Sequence, residues 1–248
     1  MAVSTNMARI NDMVRMSAGG ALDGVVRMEM YNTLKEFFQR SDAWILELPV
    51  YIVPQSNDYQ LETGQNIVIN RLMGLGRVDN LPNGTPDVSY LPMCPPQYLM
   101  SGQHGAGSEA QDPRLRVQRA GVLLNAGAKC PILRIDHNPS ENEIWVAILA
   151  VNICDPVDSE GFTSPPDWVL EKYMSYIASG VLMRLMLQPG KPYSSPQGAT
   201  YHGRKFNEGV GIARTEVRRM FTYGSQRWEY PGGWNSGKRN TGFNAGHA

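Results

Sequence analysis

The spacing of apolar residues changes twice along this chain, and the changes divide it into three. Up to residue 44 apolar positions recur every three or four residues. From Trp44 they alternate or run together, and from about residue 164 the helical spacing returns. Residues 4–18, with Met7, Ile10, Met13, Val14 and Met16, predict a short helix ended by Gly19-Gly20. Residues 22–41 predict a longer one. Val25, Val26, Met28, Met30, Tyr31, Leu34, Phe37 and Phe38 supply its apolar surface, and Asp23 is the expected cap. Ser164-Pro165-Pro166-Asp167 is a helix start: a hydroxyl, proline in the first turn and an acid near the positive end of the dipole. Val169, Tyr173, Tyr176, Ile177, Val181, Leu182 and Leu185 then form one stripe, and Gln188-Pro189-Gly190 ends it. Ser195-Pro196 starts a second helix, with Ala199, His202, Phe206, Val210, Ala213, Val217 and Met220 on its stripe and Gly224 at its end. The short connection makes these two helices an antiparallel hairpin. The helix over 22–41 is the further partner that the hairpin needs to bury its stripes.

Between these helical ends the pattern is that of strands. Ile45, Glu47, Pro49, Tyr51 and Val53 open it, with a turn on Ser56-Asn57-Asp58, and residues 66–75 are rich in β-branched and apolar side chains. Leu81-Pro82-Asn83-Gly84 is a turn, and residues 92–114 predict a long mobile loop. Residues 130–135 and 143–151 are expected to pair as a hairpin around His137-Asn138-Pro139-Ser140. Segregated helices and strands indicate an α+β fold. The expected organisation is a helical bundle, made of N-terminal helices (1–44) and a C-terminal helical hairpin (161–224). An antiparallel β-domain (45–160) is inserted between them, and an extended tail (225–248) follows.

Composition narrows the functional classes. With 42% apolar residues in a chain of 248, there is enough to bury a core, which excludes wholesale disorder. The formal net charge is zero, so any nucleic-acid contact must be local. Residues 201–248 hold such a local excess: eight basic residues against three acids leave +5. Three cysteines, Cys94, Cys130 and Cys154, form no CxxC pair and no disulfide framework. Met1–Asn6 lacks the basic and apolar regions of a signal peptide, and no apolar run reaches membrane-spanning length. The expectation is a soluble protein made in a cytosol, with no membrane contact.

A search for chemistry finds no catalytic, cofactor-binding or metal constellation. His104, His137, His202 and His247 have no zinc-ligand spacing. Asp136-x-Asn138-x-Ser140-x-Asn142 lacks the glycine and the closing glutamate of a calcium loop. Gly102-x-x-Gly105-x-Gly107 does not join a strand to a helix, and Glu141 and Glu143 sit at a turn with no cleft between them. The informative side chains lie in the glycine-rich tail: Arg227, Trp228, Tyr230, Trp234, Lys238, Arg239 and Phe243. Aromatics and arginine are the usual anchors of protein interfaces, so these residues predict a segment that orders on a partner. Arg214, Arg218 and Arg219 read as a solvated helix face.

Two stretches resemble one family. Glu36-Phe37-Phe38-Gln39-Arg40-Ser41-Asp42-Ala43-Trp44, followed by strands through Tyr59-Gln60-Leu61, resembles the opening of head–tail adaptor proteins of short-tailed bacteriophages, the tail tubular protein A type. Pro165-Pro166-Asp167-Trp168, the run Ala178–Ser194, and Ala199-x-x-His202-x-x-x-Phe206 resemble the later helix, its turn and the helix after it. Together they cover about half the chain. The resemblance implies a structural virion protein, assembled in the host cytoplasm and placed at the head–tail interface. It would form a homo-oligomeric ring, usually a dodecamer, between the portal protein and the downstream tail or nozzle protein. Such a ring surrounds the DNA channel, so non-specific contact with passing double-stranded DNA is open to it. The implied role is not enzymatic. Two competing readings are a carbohydrate- or protein-binding β-domain, with Trp145 or Tyr90 as its platform, and a virion-associated hydrolase.

Overall fold

A computed structural model describes residues 5–63, 67–80, 86–91, 122–128, 130–135, 141–154 and 165–222. In chain order these form α1 (Thr5–Ser17), α2 (Asp23–Ser41), β1 (Ile45–Ile52), β2 (Asp58–Gln60), β3 (Ile67–Asn80), β4 (Pro86–Leu91), β5 (Val122–Leu124), β6 (Ile132–Arg134), β7 (Glu143–Ile153), α3 (Asp167–Met186) and α4 (Pro196–Thr222). The helices flank the strands in sequence and the strands pair antiparallel, so the fold is α+β.

The start signals act as their chemistry dictates, with two corrections. Ser195 Oγ accepts the Gly198 N–H at 3.1 Å, and Pro196 opens α4 without wasting a donor. Asp23, however, is not the cap of α2. Leu22 occupies that position, and Asp23 lies in the first turn, paired with Arg15 at 2.5 Å. At α3 the cap position falls on Pro166, two residues later than the expected Ser164, which lies outside the described residues. The expected Gly224 cap also lies outside them, as do the turn at 81–84, the loop at 92–114 and the tail.

The hairpin of α3 and α4 closes on small residues. A Cβ on Gly180 would stand 2.5 Å from Thr33 Cγ2 and 2.6 Å from the Phe206 ring; one on Gly209 would collide with Tyr176. Glycine is therefore used here to let three helices approach. α1 and α2 both pack on α3, and α2 also reaches α4. Phe37 sits at that junction, with its ring centroid 5.3 Å from Tyr173, 5.7 Å from Phe38 and 6.3 Å from Phe206. A polar seam runs beside it, where Arg184 Nη2 reaches Glu36 at 2.6 Å and Nη1 lies 3.9 Å from Glu29, two turns earlier on α2. Met28 and Met220 lie outside the core, 54% and 59% exposed, although the helical stripes would have included them.

The strands form two sheets, β1-β7-β3-β4 and β2-β6-β5. The expected hairpin of 130–135 with 143–151 is not formed, because β6 pairs with β2 and β5 while β7 pairs with β1 and β3. The reason is length and burial. β7 has 11 residues and is buried on both faces from Ala147 to Ile153, so it needs long strands on either side. β1 and β3, with 8 and 14 residues, meet that need; β6, with 3, does not. Sheet and helices share one core. Phe38 stacks edge-on against Trp44 at 5.5 Å, and Val151 N–H donates to Trp44 O at 2.9 Å. Asn152 Nδ2 donates to Lys35 O at 3.1 Å, and Tyr31 OH to Cys154 O at 2.5 Å.

Two acid-sensitive groups lie on α4. His202 has a buried Nδ1 without a partner among the described residues. Burial, then the charge of Lys205, pushes its pKa below the ordinary imidazole value. Glu216 is held low by hydrogen bonds from Lys172 (2.6 Å) and the Tyr173 hydroxyl. Both groups contribute stability that is complete above their unfolded pKa values and is lost as pH falls through the folded ones. For His202 the loss begins below about pH 6.5, and for Glu216 below about 4.3. Asp42 acts in the opposite sense, since burial raises its pKa and acidification relieves that penalty. The His202→Gln variant is therefore expected to flatten the decline in urea midpoint between about pH 6.5 and 5. An unchanged slope would contradict the burial of a neutral ring.

Candidate interaction surface

The predicted contact residues Arg227, Trp228, Tyr230, Trp234, Lys238, Arg239 and Phe243 lie outside the described residues. So do His104, His137, His247, the glycines at 102–107 and positions 136–140 of the calcium-like loop. The remaining candidates separate clearly. Trp145 is 3% exposed and donates its indole N–H to Glu143 at 2.7 Å, so it is not a saccharide platform. Glu143 also pairs with Arg77 at 3.5 Å. Nothing is described of the Tyr90 side chain. Among the described residues no group of three His, Cys, Asp or Glu could hold a metal, and Cys130 and Cys154 are free thiols. No described helix is long and apolar enough to cross a membrane.

What the fold assembles instead is an arginine-lined cleft of about 330 Å³, bounded by Gln39, Arg40, Arg71, Asn207, Val210, Gly211 and Arg214. Three elements build it. Gln39 and Arg40 come from the last turn of α2. Asn207, Gly211 and Arg214 follow at four- and three-residue steps on α4, so they share one face. Arg71 comes from β3 by way of a bulge. Ile69 stands opposite Val151 and Arg71 opposite Ala150, so the extra residue, Asn70, moves Arg71 to the face of the sheet away from Ile69.

The charges are held in place from behind. Arg40 Nη1 donates to Glu36 at 2.7 Å and Nη2 to Asn207 Oδ1 at 2.8 Å, which ties α2 to α4. Arg71 Nη1 pairs with Asp42 Oδ2 at 3.2 Å. Asp42 is 5% exposed and left-handed at φ 57°, where it closes α2 through its N–H to Phe38 O. Its other oxygen has no hydrogen bond among the described residues. Burial raises its carboxyl pKa, and Arg71, Arg214 and Arg218 pull it back.

Sequence reasoning did not find this cleft. Arg214 was visible only as part of a basic helix face, and no spacing rule connects residues 39, 71 and 214. Outward from the cleft, Arg214, Arg218 and Arg219 are exposed, as the helical pattern of α4 predicts. On the other sheet edge, Tyr51 (69% exposed) stands opposite Ile144 (46%), and Pro49 interrupts the donors of edge strand β1. Comparison with protein-family models and with curated proteins returned no match.

Proposed function

We propose that this protein is a structural adaptor of a phage virion, a ring subunit between portal and tail around the DNA channel. The observation that carries the reading is the meeting of the two stretches that resemble the adaptor family. Glu36–Trp44 and the segments over 165–206 are far apart in sequence and pack as one unit. Phe37 contacts Tyr173 and Phe206, and Glu36 pairs with Arg184. The described body leaves edge strand β1 open for neighbours, and a ring multiplies weak contacts into avidity. The reading is structural and not catalytic, with the portal, the next tail component and further copies of this chain as partners. A dodecamer is the expected closed form.

Within this reading, residues 225–248 order on the portal, with Trp228, Tyr230 and Trp234 as anchors and Arg227, Lys238, Arg239 and Phe243 beside them. Deleting 225–248 is expected to leave thermal unfolding of the body unchanged and to abolish binding to the portal of the same phage. Single Trp228→Ala and Trp234→Ala changes are each expected to weaken binding by about 2 kcal/mol. Electron microscopy of the protein mixed with portal reads out ring formation. Full portal affinity in the truncated protein would sink the assignment of the tail, and a monomer in the presence of portal would sink the adaptor reading.

A further inference from the structure

We propose that the arginine cleft between α2, β3 and α4 is a binding site for a phosphate group. The inference stands on the cleft itself and is independent of the adaptor reading. Three guanidiniums line one concavity, and their carboxylate partners do not neutralise them. Asp42, a single carboxylate, pairs directly with Arg71 at 3.2 Å and is also within the field of Arg214 and Arg218. Glu36 is divided between Arg40 (2.7 Å) and Arg184 (2.6 Å). Arg214, on α4, has no ion-pair partner among the described residues. The cleft therefore carries a net positive charge, and clustered like charges in a concavity raise the local concentration of an anion.

The geometry suits a tetrahedral oxyanion. Guanidinium groups present paired N–H donors that match two oxygens at once, and arginines from three different elements can approach one group from several sides. Asn207 adds a neutral donor, because its carbonyl oxygen already accepts from Arg40 and its NH2 group is left to donate. Gly211 provides the room: a Cβ there would meet no atom within 4 Å. The volume of about 330 Å³ admits a phosphate together with the carbon substituents of an ester. Asp42 is a positioning residue, buried behind Arg71 and holding its guanidinium at the wall.

The test uses the full chain and inorganic phosphate. Thermal unfolding is followed against phosphate concentration, with sodium chloride at matched ionic strength as the control. A saturable rise in Tm is expected with phosphate and not with chloride. Arg214→Gln is expected to raise the half-saturating concentration about tenfold. Gly211→Asp, which adds a carboxylate in open space without disturbing the packing, is expected to abolish the effect and still fold. A second arm measures fluorescence anisotropy of a short DNA duplex with and without competing phosphate. Duplex binding that Gly211→Asp removes supports the site with nucleic acid as the source of the phosphate. Duplex binding that is absent or unaffected, with the phosphate effect intact in the wild type, supports the site with free phosphate as its ligand. No saturable phosphate effect, or the same effect in Gly211→Asp, overturns the proposal; the arginines then serve only to neutralise Asp42 and the C-terminal end of α2.

Discussion

Replacing Phe37 by alanine is expected to destabilise the protein by about 3–5 kcal/mol. The ring is fully buried and meets Phe38, Tyr173 and Phe206, so its removal opens a cavity lined by α2, α3 and α4 at once. Each of these rings is held by its own neighbours: Phe38 by Trp44, Tyr173 by its hydrogen bond to Glu216, and Phe206 by Gly180 on one side and the Arg40 guanidinium on its ring. The loss therefore includes both the transfer of the ring and the unfilled volume. A drop in Tm on the order of 10 °C should accompany it. Phe37→Leu, which keeps much of the volume, is expected to lose about 1.5 kcal/mol or less. A double-mutant cycle with Phe206→Leu should show coupling above about 0.5 kcal/mol, since the two rings touch. An alanine variant within about 1 kcal/mol of wild type would mean that the three helices do not close on Phe37.

The second large effect has the opposite geometry: too much volume. Gly180→Val is expected to cost about 3 kcal/mol. Glycine in the interior of a helix is ordinarily a weakness, and alanine there ordinarily gains about 1 kcal/mol. At Gly180 that gain is reversed, because even one added carbon would lie 2.5 Å from Thr33 and 2.6 Å from Phe206, both buried. Valine adds two further methyls to the same space. Thr33→Ser, which removes the offending methyl and keeps the hydroxyl that donates to Glu29 O, should recover part of the loss in Gly180→Ala. Gly211 on α4 is the control. Nothing lies within 4 Å of its added carbon, so Gly211→Ala should stabilise by about 0.5–1 kcal/mol. Urea midpoints of the two alanine variants should move in opposite directions; movement in the same direction would refute the close approach at Gly180.

These two positions also show where sequence reading works and where it stops. The apolar stripes of α3 and α4 were legible because helical periodicity is a local property. Leu182, Leu185, Phe206 and Val217 fall where the spacing puts them. The same holds for Pro196 and Ser195 at the start of α4, since capping involves only residues within one turn. The packing of α2 on the hairpin was also legible, because a hairpin with two apolar stripes needs a third element; that α1 packs on α3 as well was not. Gly180 carried no such signal. A glycine inside a helix is indistinguishable in sequence from a tolerated weakness until the partners Thr33 and Phe206 are known.

The strand pairing failed for a similar reason. Residues 130–135 and 143–151 are neighbours in sequence, and neighbours usually pair, but the choice is made by which strands can cover the two buried faces of β7. Strict alternation would also have put Arg71 on the face of Ile69; the bulge at Asn70 reverses it, and the whole cleft depends on that reversal.

By itself the sequence determined what depends on a few consecutive residues: the helical ends, the strand-rich middle, the N-terminal cap of α4 and the α+β class. Only the tertiary structure decided which strands share a sheet, which glycines are contact points and which arginines face one another. Periodicity and capping are set by backbone geometry within a turn or two. Close approach and charge clustering are set by groups brought together from 26 to more than 140 positions apart in the chain, and no local pattern encodes that distance.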